Sequence, residues 1–196
     1  MQSINYSLSL IVIFLTTTYA ISQDWSELNN NTQPRYGIAG QTGAELRDSI
    51  QWVDENGEPR TAVKLKDFRD NYKVIHGFQA WCPGCQSRGF PALKKMSIAL
   101  ADNDKVSFMA VQTVFEGAHA NTYKRMQEIQ KDYALDIPFG HDTGDATTGN
   151  RSGTMFDYQT GGTPWFIILD GQNKVVFNDY HLDTAMAIKL LKEATK

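Results

Sequence analysis

Val74-Ile75-His76-Gly77-Phe78-Gln79-Ala80-Trp81-Cys82-Pro83-Gly84-Cys85 decides how this chain of 196 residues folds. The stretch begins as an apolar run of strand character. It ends on the only two cysteines in the chain, separated by two residues. Beyond it, Phe90, Leu93, Met96 and Leu100 recur at the spacing of a helix with one apolar face. A strand thus delivers a cysteine pair to the start of a helix. Helix N-termini carry unpaired N–H groups and a partial positive charge, which favour thiolate over thiol. Cysteines in such settings have pKa values lowered from about 8.5 to roughly 3.5–7.5. Cys82, at the strand's end, is the candidate nucleophile and is expected to be the more acidic and exposed thiol. Cys85, one turn into the helix, is spaced to resolve a mixed disulfide formed by Cys82. Pro83 suits a first helical turn, where its missing N–H would be unbonded anyway. Trp81 offers an aromatic face beside the sulfurs, either to a protein substrate or to ordinary packing. A zinc half-site would need two further ligands, and His76, His119, His141 and His181 are not paired at ligand spacing.

Outward from this block, strands alternate with helices. Residues 49–53, an Asn56-Gly57 turn and residues 61–65 predict an N-terminal hairpin. Residues 66–71 read as a short turn or helix. Residues 73–80 are a strand and 83–101 a helix. Residues 106–114 are apolar on both faces, as in a central strand covered by helices. Asn121 is placed to cap a helix whose Tyr123, Met126, Ile129 and Tyr133 share a face. A short strand begins at Ile137-Pro138-Phe139. Residues 165–169 form another strand, 170–173 a turn and 174–177 its partner. Asp183 caps a last helix with Met186, Leu190 and Leu191 inward. The expected fold is α/β, a mixed central sheet flanked by helices, with the N-terminal hairpin and a helix-containing central insertion.

The strand-Trp81-Cys82-x-x-Cys85-helix block and Gly161-Gly162-Thr163-Pro164-Trp165-Phe166-Ile167-Ile168-Leu169-Asp170-Gly171, in that order, resemble the thioredoxin superfamily, and within it the exported TlpA/ResA-like disulfide reductases. The resemblance runs from about Trp52 to the C-terminus. It implies a cis bond between Thr163 and Pro164, and a Thr163 backbone that hydrogen-bonds a substrate segment by strand addition. Three positions depart from the family pattern. Where thioredoxin-like chains often bury a carboxylate, six residues before the first cysteine, stands His76, a proton relay or a satisfied core residue. Where ResA-like proteins place a Glu, three residues past the second cysteine, stands Arg88, a thiolate-favouring cation or a solvated charge. The helix proline, Pro91, falls one position late, so Gly89 looks inserted and a kink or π-bulge is expected around 89–91. Glu116, near the active-site edge of the sheet, is a proton carrier or a solvated loop acid. His141-Asp142 reads as a loop that binds metal or caps a turn.

The resemblance implies thiol–disulfide exchange through a redox-active Cys82–Cys85 disulfide, with no other cofactor and no metal. Two other functions share parts of the pattern. Peroxiredoxins usually carry a Thr three residues before the reactive cysteine; here it is Gln79. Sco-type copper chaperones space their cysteines by three and add a distal His, for which His141 is available. A net charge of −3 and the lack of any Lys/Arg block argue against nucleic acid as a partner. Residues 8–19 are apolar apart from Ser9 and three threonines, and Ala20-Ile21-Ser22 supplies small residues for cleavage, so 1–22 reads as an export signal. An uncleaved membrane anchor is the alternative reading. Residues 23–43 read as a linker or loosely ordered arm, and 44–196 as the domain. Export places the protein in an oxidising periplasmic or extracellular compartment. Its partners there would be protein thiols or disulfides, and a membrane-bound or soluble thiol electron donor.

Overall fold

The structure is a computed structural model that describes residues 25, 28 and 36–196. Its strands are β1 (Gln51–Val53), β2 (Pro59–Arg60), β3 (Tyr72–Phe78), β4 (Val106–Thr113), β5 (Phe139–Asp142), β6 (Trp165–Leu169) and β7 (Val175–Asp179). Its α-helices are α1 (Phe90–Ala99), α2 (Tyr123–Asp132), α3 (Gly153–Tyr158) and α4 (Thr184–Ala194). One sheet takes all seven strands in the order β2-β1-β5-β4-β3-β6-β7. β3, β4 and β5 run parallel, while β1–β2, β1–β5, β3–β6 and β6–β7 pair antiparallel. The architecture is thioredoxin-like, and the cysteine pair follows β3 at the carboxyl ends of the parallel strands. Open α/β sheets bind their ligands at that end, where the strand order switches.

Alternation along each strand sorts the core into two layers. Val74, Phe78 and Phe108 face α1, α2 and α4, packing with Leu93, Met96, Met126 and Leu190. Ile75, Met109, Val111 and Ile167 face the other way, onto Leu46, Trp52, Tyr158 and Ile38. Both faces of β3 and β4 are therefore covered, which is why their sequences are apolar without alternation.

Three expectations change. The second arm of the hairpin is only Pro59–Arg60, paired as Trp52↔Arg60 and Val53↔Pro59. The ladder stops at Arg60, one residue past the proline, and residues 61–65 turn away to bury Val63 and Leu65. The Asp54 carboxylate ties the turn, accepting from the Asn56 and Glu58 N–H groups at 2.9 Å each. Helix α2 is capped by Thr122, whose hydroxyl accepts from the Arg125 N–H at 3.1 Å, and not by Asn121. His141 and Asp142 lie on β5 rather than a loop, because their register with Gln112 and Thr113 extends the sheet. Asp142 is nevertheless a cap: it is buried and accepts from Ser152 Oγ (2.7 Å) and the Gly153 and Thr154 N–H groups (3.1 and 2.8 Å) at the start of α3.

The described part of the expected arm is bound to the domain. Gly37 donates to the Gln159 carbonyl, Gly40 to Val175 and Gly43 to Asn173. Ile38 is buried, and so is Trp25 within the α-helical layer. The expected signal segment 1–22 lies outside the described residues.

Candidate active site

After β3 the chain turns through Gln79, Ala80 and Trp81, and this turn is held from both sides. The Asn121 side chain accepts from the Ala80 N–H at 2.7 Å and donates to the Glu116 and Gly117 carbonyls at 3.0 and 3.2 Å. Gln79 Nε2 donates to the Thr113 carbonyl at 3.2 Å. The Gln86 side chain reaches back to the Ala80 carbonyl at 2.9 Å. The freedom of Asn121 from capping is thus explained: its amide splices the 116–121 loop to the turn that carries Trp81 and Cys82.

Cys82 is 7% exposed and Cys85 is fully buried; both are free thiols. Cys82 is more closed over than its place at the strand's end led us to expect, though it remains the more accessible sulfur. The Cys85 N–H donates to Cys82 Sγ at 3.2 Å, as a helix N-terminus does to an anion. On its other side the Cys82 thiol donates to the Thr163 carbonyl at 3.5 Å. The Thr163–Pro164 bond is cis. Burial, with the hydrogen bond from Cys82 second, pushes the Cys85 thiol up to about 12. A methyl group on Gly84 would lie 3.2 Å from Pro164 Cδ, so a side chain here would push the proline back by a few tenths of an ångström.

Residues Cys85–Gly89 form a π-helical turn, closed by the Phe90 N–H donating to the Cys85 carbonyl, before α1 continues in regular form. The extra residue is absorbed there. Pro91 has no N–H to offer the Gln86 carbonyl; the Tyr133 hydroxyl donates to it instead, at 3.2 Å.

The other sequence-chosen residues are placed as follows. Trp81 is 46% exposed, close against the Gly117 backbone. It lines a hollow of about 350 Å³ with Glu116 and His119. Glu116 is exposed and serves the site through its backbone carbonyl. His76 is fully buried beneath the π-turn, stacked on Phe166 (4.6 Å) and edge-on to Phe90 (5.2 Å). Its Nδ1 lies 3.3 Å from the Trp165 carbonyl, which fixes the Nδ1–H tautomer and leaves Nε2 without a partner. Burial lowers its pKa to about 3. The Arg88 guanidinium reaches Tyr180, not a sulfur: Nη2 donates to the Tyr180 hydroxyl at 2.9 Å, with the charge 5.5 Å from the ring centroid. His141 Nδ1 bonds Gln112 Oε1 at 2.6 Å. Among the described residues no three His, Cys, Asp or Glu side chains converge as metal ligands do.

Sequence reasoning missed Asn121 in its splicing role and Tyr180 altogether. The β6–β7 pairing holds the signal for Tyr180. Phe166 lies opposite Asp179, so Tyr180 falls level with Trp165, one residue from Pro164.

Comparison with known proteins follows this geometry. The family model described as Redoxin matches residues 41–187. No curated protein sequence matches the chain. Among solved structures, a thioredoxin-like superfamily protein is 28% identical, with 80% of this chain and 97% of that one covered and a TM-score of 0.67. A thiol-disulfide isomerase from Corynebacterium glutamicum shares the fold at 22% identity, covering 79% and 97% with a TM-score of 0.65. The thioredoxin domain of a thiol-disulfide oxidoreductase from Bacteroides vulgatus does so at 17%, covering 81% and 99% with a TM-score of 0.59.

Proposed function

The chain belongs to the Redoxin family, and from that premise we propose that it exchanges thiols and disulfides with exported proteins through Cys82 and Cys85. One observation carries the reading: Cys82 Sγ sits between a helix-start N–H at 3.2 Å and the Thr163 carbonyl at 3.5 Å. The first points a backbone donor at the sulfur that attacks. The second loses its S–H donor when Cys82 ionises, which frees the Thr163 carbonyl to accept from the backbone of an incoming substrate.

Cys82 thiolate attacks one sulfur of a substrate disulfide, forming a mixed disulfide and releasing the other sulfur as thiolate. Cys85 gives its proton to the released substrate thiolate and attacks Cys82 Sγ. The second substrate sulfur leaves as a thiolate, so the substrate disulfide has gained two electrons and the cysteine pair has lost two on forming the Cys82–Cys85 disulfide. A thiol donor, membrane-bound or soluble, then restores the dithiol. The reverse sequence oxidises a substrate dithiol.

His76 is not the resting acceptor of that proton. Burial raises the Cys85 thiol and lowers the His76 imidazole, so proton transfer from one to the other in the dithiol state is strongly uphill. His76 serves as a neutral wall that supports the π-turn and Pro164. Trp81 supplies aromatic area to the substrate, and Thr163 and Pro164 its strand-like backbone contact. The peroxidase alternative loses its usual Thr: Gln79 is committed to the Thr113 carbonyl. Export rests on the apolar run and small residues of 1–22, and places the substrates in an oxidising compartment.

The test is covalent capture. Cys85→Ser should accumulate mixed disulfides with client proteins through Cys82, whereas Cys82→Ser should trap none. The reduced wild-type protein should reduce insulin far faster than it consumes hydrogen peroxide. Dominant peroxide turnover with no trapped partner would overturn the reading.

A further inference from the structure

Beside Pro164 a groove of about 670 Å³ runs between the π-turn, α1 and the loop that leads into α4. Pro164, Phe166, Ala92 and Leu28 give it an apolar lining, and Arg88 and Lys95 stand along it. Both cations are exposed, and among the described residues neither takes part in an ion pair. The one carboxylate in the lining, Asp183, already accepts from the Met186 N–H at 3.0 Å as the cap of α4. The chain as a whole is acidic, at −3, so a groove with two unpaired cations runs against its composition. Arg88 is also held in place, by the Tyr180 hydroxyl at 2.9 Å and over the Tyr180 ring. That contact occupies one N–H of a guanidinium with five, and a fork fixed in this way loses less entropy on gripping a carboxylate.

We propose that this groove docks an extended, acidic segment of the protein disulfide substrate, with Arg88 and Lys95 reading its carboxylates. The proposal names a substrate class for the exchange reaction and rests on that reading. The two cations are about two helical turns apart, roughly 10 Å along the axis. An extended chain advances about 3.3 Å per residue. A strand that leaves Thr163–Pro164 along α1 therefore meets both cations with acidic side chains two or four residues apart, the spacings near that distance that keep both on one face of the strand. The groove is continuous with the contact between Pro164 and Gly84, so the reacting cysteine and the acidic flank belong to one segment.

The experiment uses the full chain and three disulfide peptides that differ only in two flanking residues four apart, on one face of the strand, both Glu, both Gln or both Lys. Two exposed charge pairs together give a preference of roughly 2–30-fold. At low salt, kcat/KM for the Glu peptide should exceed that for the Gln peptide about fivefold, with the Lys peptide slowest. Raising the salt should shrink the ratio. The double variant Arg88→Gln/Lys95→Gln should bring it close to one, and Lys95→Glu should turn it toward the Lys peptide. Fluorescently labelled copies of the three peptides with Ser in place of Cys, which bind but do not exchange, are titrated by anisotropy against the same protein. Acid-selective binding without turnover supports the docking site and overturns the exchange reading. Turnover without acid preference, a preference that survives loss of both cations, or no binding by any Ser peptide overturns the docking site.

Discussion

Replacing His76 by leucine should flatten the acid side of the stability profile. His76 is fully buried against Phe166 and Phe90, and its pKa falls from 6.5 to about 3, chiefly by desolvation. The folded pKa lies below the unfolded one, so below pH 6.5 the unfolded chain takes up a proton that the folded chain refuses. Stability held by the neutral ring is complete above pH 6.5 and drains by about 1.4 kcal/mol per pH unit as the pH falls toward 3. At pH 4.5, two units below the unfolded value, the loss is about 3 kcal/mol. Leucine fills a similar volume and cannot titrate. It gives up the hydrogen bond to the Trp165 carbonyl, worth about 1 kcal/mol, so the variant should be weaker than the wild type at pH 7. By pH 4.5 it should have drawn level or passed it. Urea titrations of both proteins at the two pH values measure this as a difference of differences. The carboxylates and His141, whose pKa burial also lowers, titrate in both proteins and cancel. A pH dependence identical in wild type and variant, within about 0.5 kcal/mol, would refute the buried neutral imidazole.

Two further substitutions probe the frame around the cysteines. Gly89→Ala puts a methyl 2.7 Å from His76 Cε1 and 2.8 Å from Pro164 Cβ. It should cost about 1–3 kcal/mol in a denaturant titration, despite alanine's helix advantage of about 1 kcal/mol; a stabilised protein would show that the turn is free to move. Asn121→Ala leaves the buried Ala80 N–H without its acceptor and should cost about 1–3 kcal/mol. Faster exchange of that amide, read by NMR, should accompany the loss, and unchanged protection would mean that the splice is dispensable.

What the chain shows without coordinates is its periodic part. β3, α1, β4 and β6 each carry long apolar signals, and each lies where periodicity puts it. The position of the reactive pair follows from two cysteines and a proline. The misreadings fall where local chemistry is ambiguous. Asn121 and Thr122 are both good caps, and only the Ala80 N–H, forty residues away in sequence, selects which one is released for other work. Residues 61–65 have strand composition, but the ladder stops at Arg60, and Val63 and Leu65 are drawn into the core instead. Tyr180 has no local signal at all; its place beside Pro164 exists only once β6 and β7 are paired. The grip on residues 36–43 is likewise made by backbone groups of distant turns, which composition does not register.

Two of the three departures from the family pattern, His76 and the late Pro91, are in the folded chain one packing solution seen at several positions. An imidazole at residue 76 needs more room than a carboxylate, and that room must come from the helix above it. The π-turn at Cys85–Gly89 widens the helix there, and the residue that faces the ring is glycine, whose missing Cβ would lie 2.8 Å from Nε2. A wider turn moves the proline one position along, and the carbonyl that Pro91 then fails to serve is taken by Tyr133. Tyr133 in turn stacks on Phe90 at 4.4 Å, and Phe90 stands edge-on to His76. Each change is costly alone: the ring collides with a regular helix, the extra glycine loosens it, and the late proline orphans a carbonyl. Together they close a ring of contacts beneath Cys82 and Pro164, so reversal of any one should be worse tolerated than reversal of all.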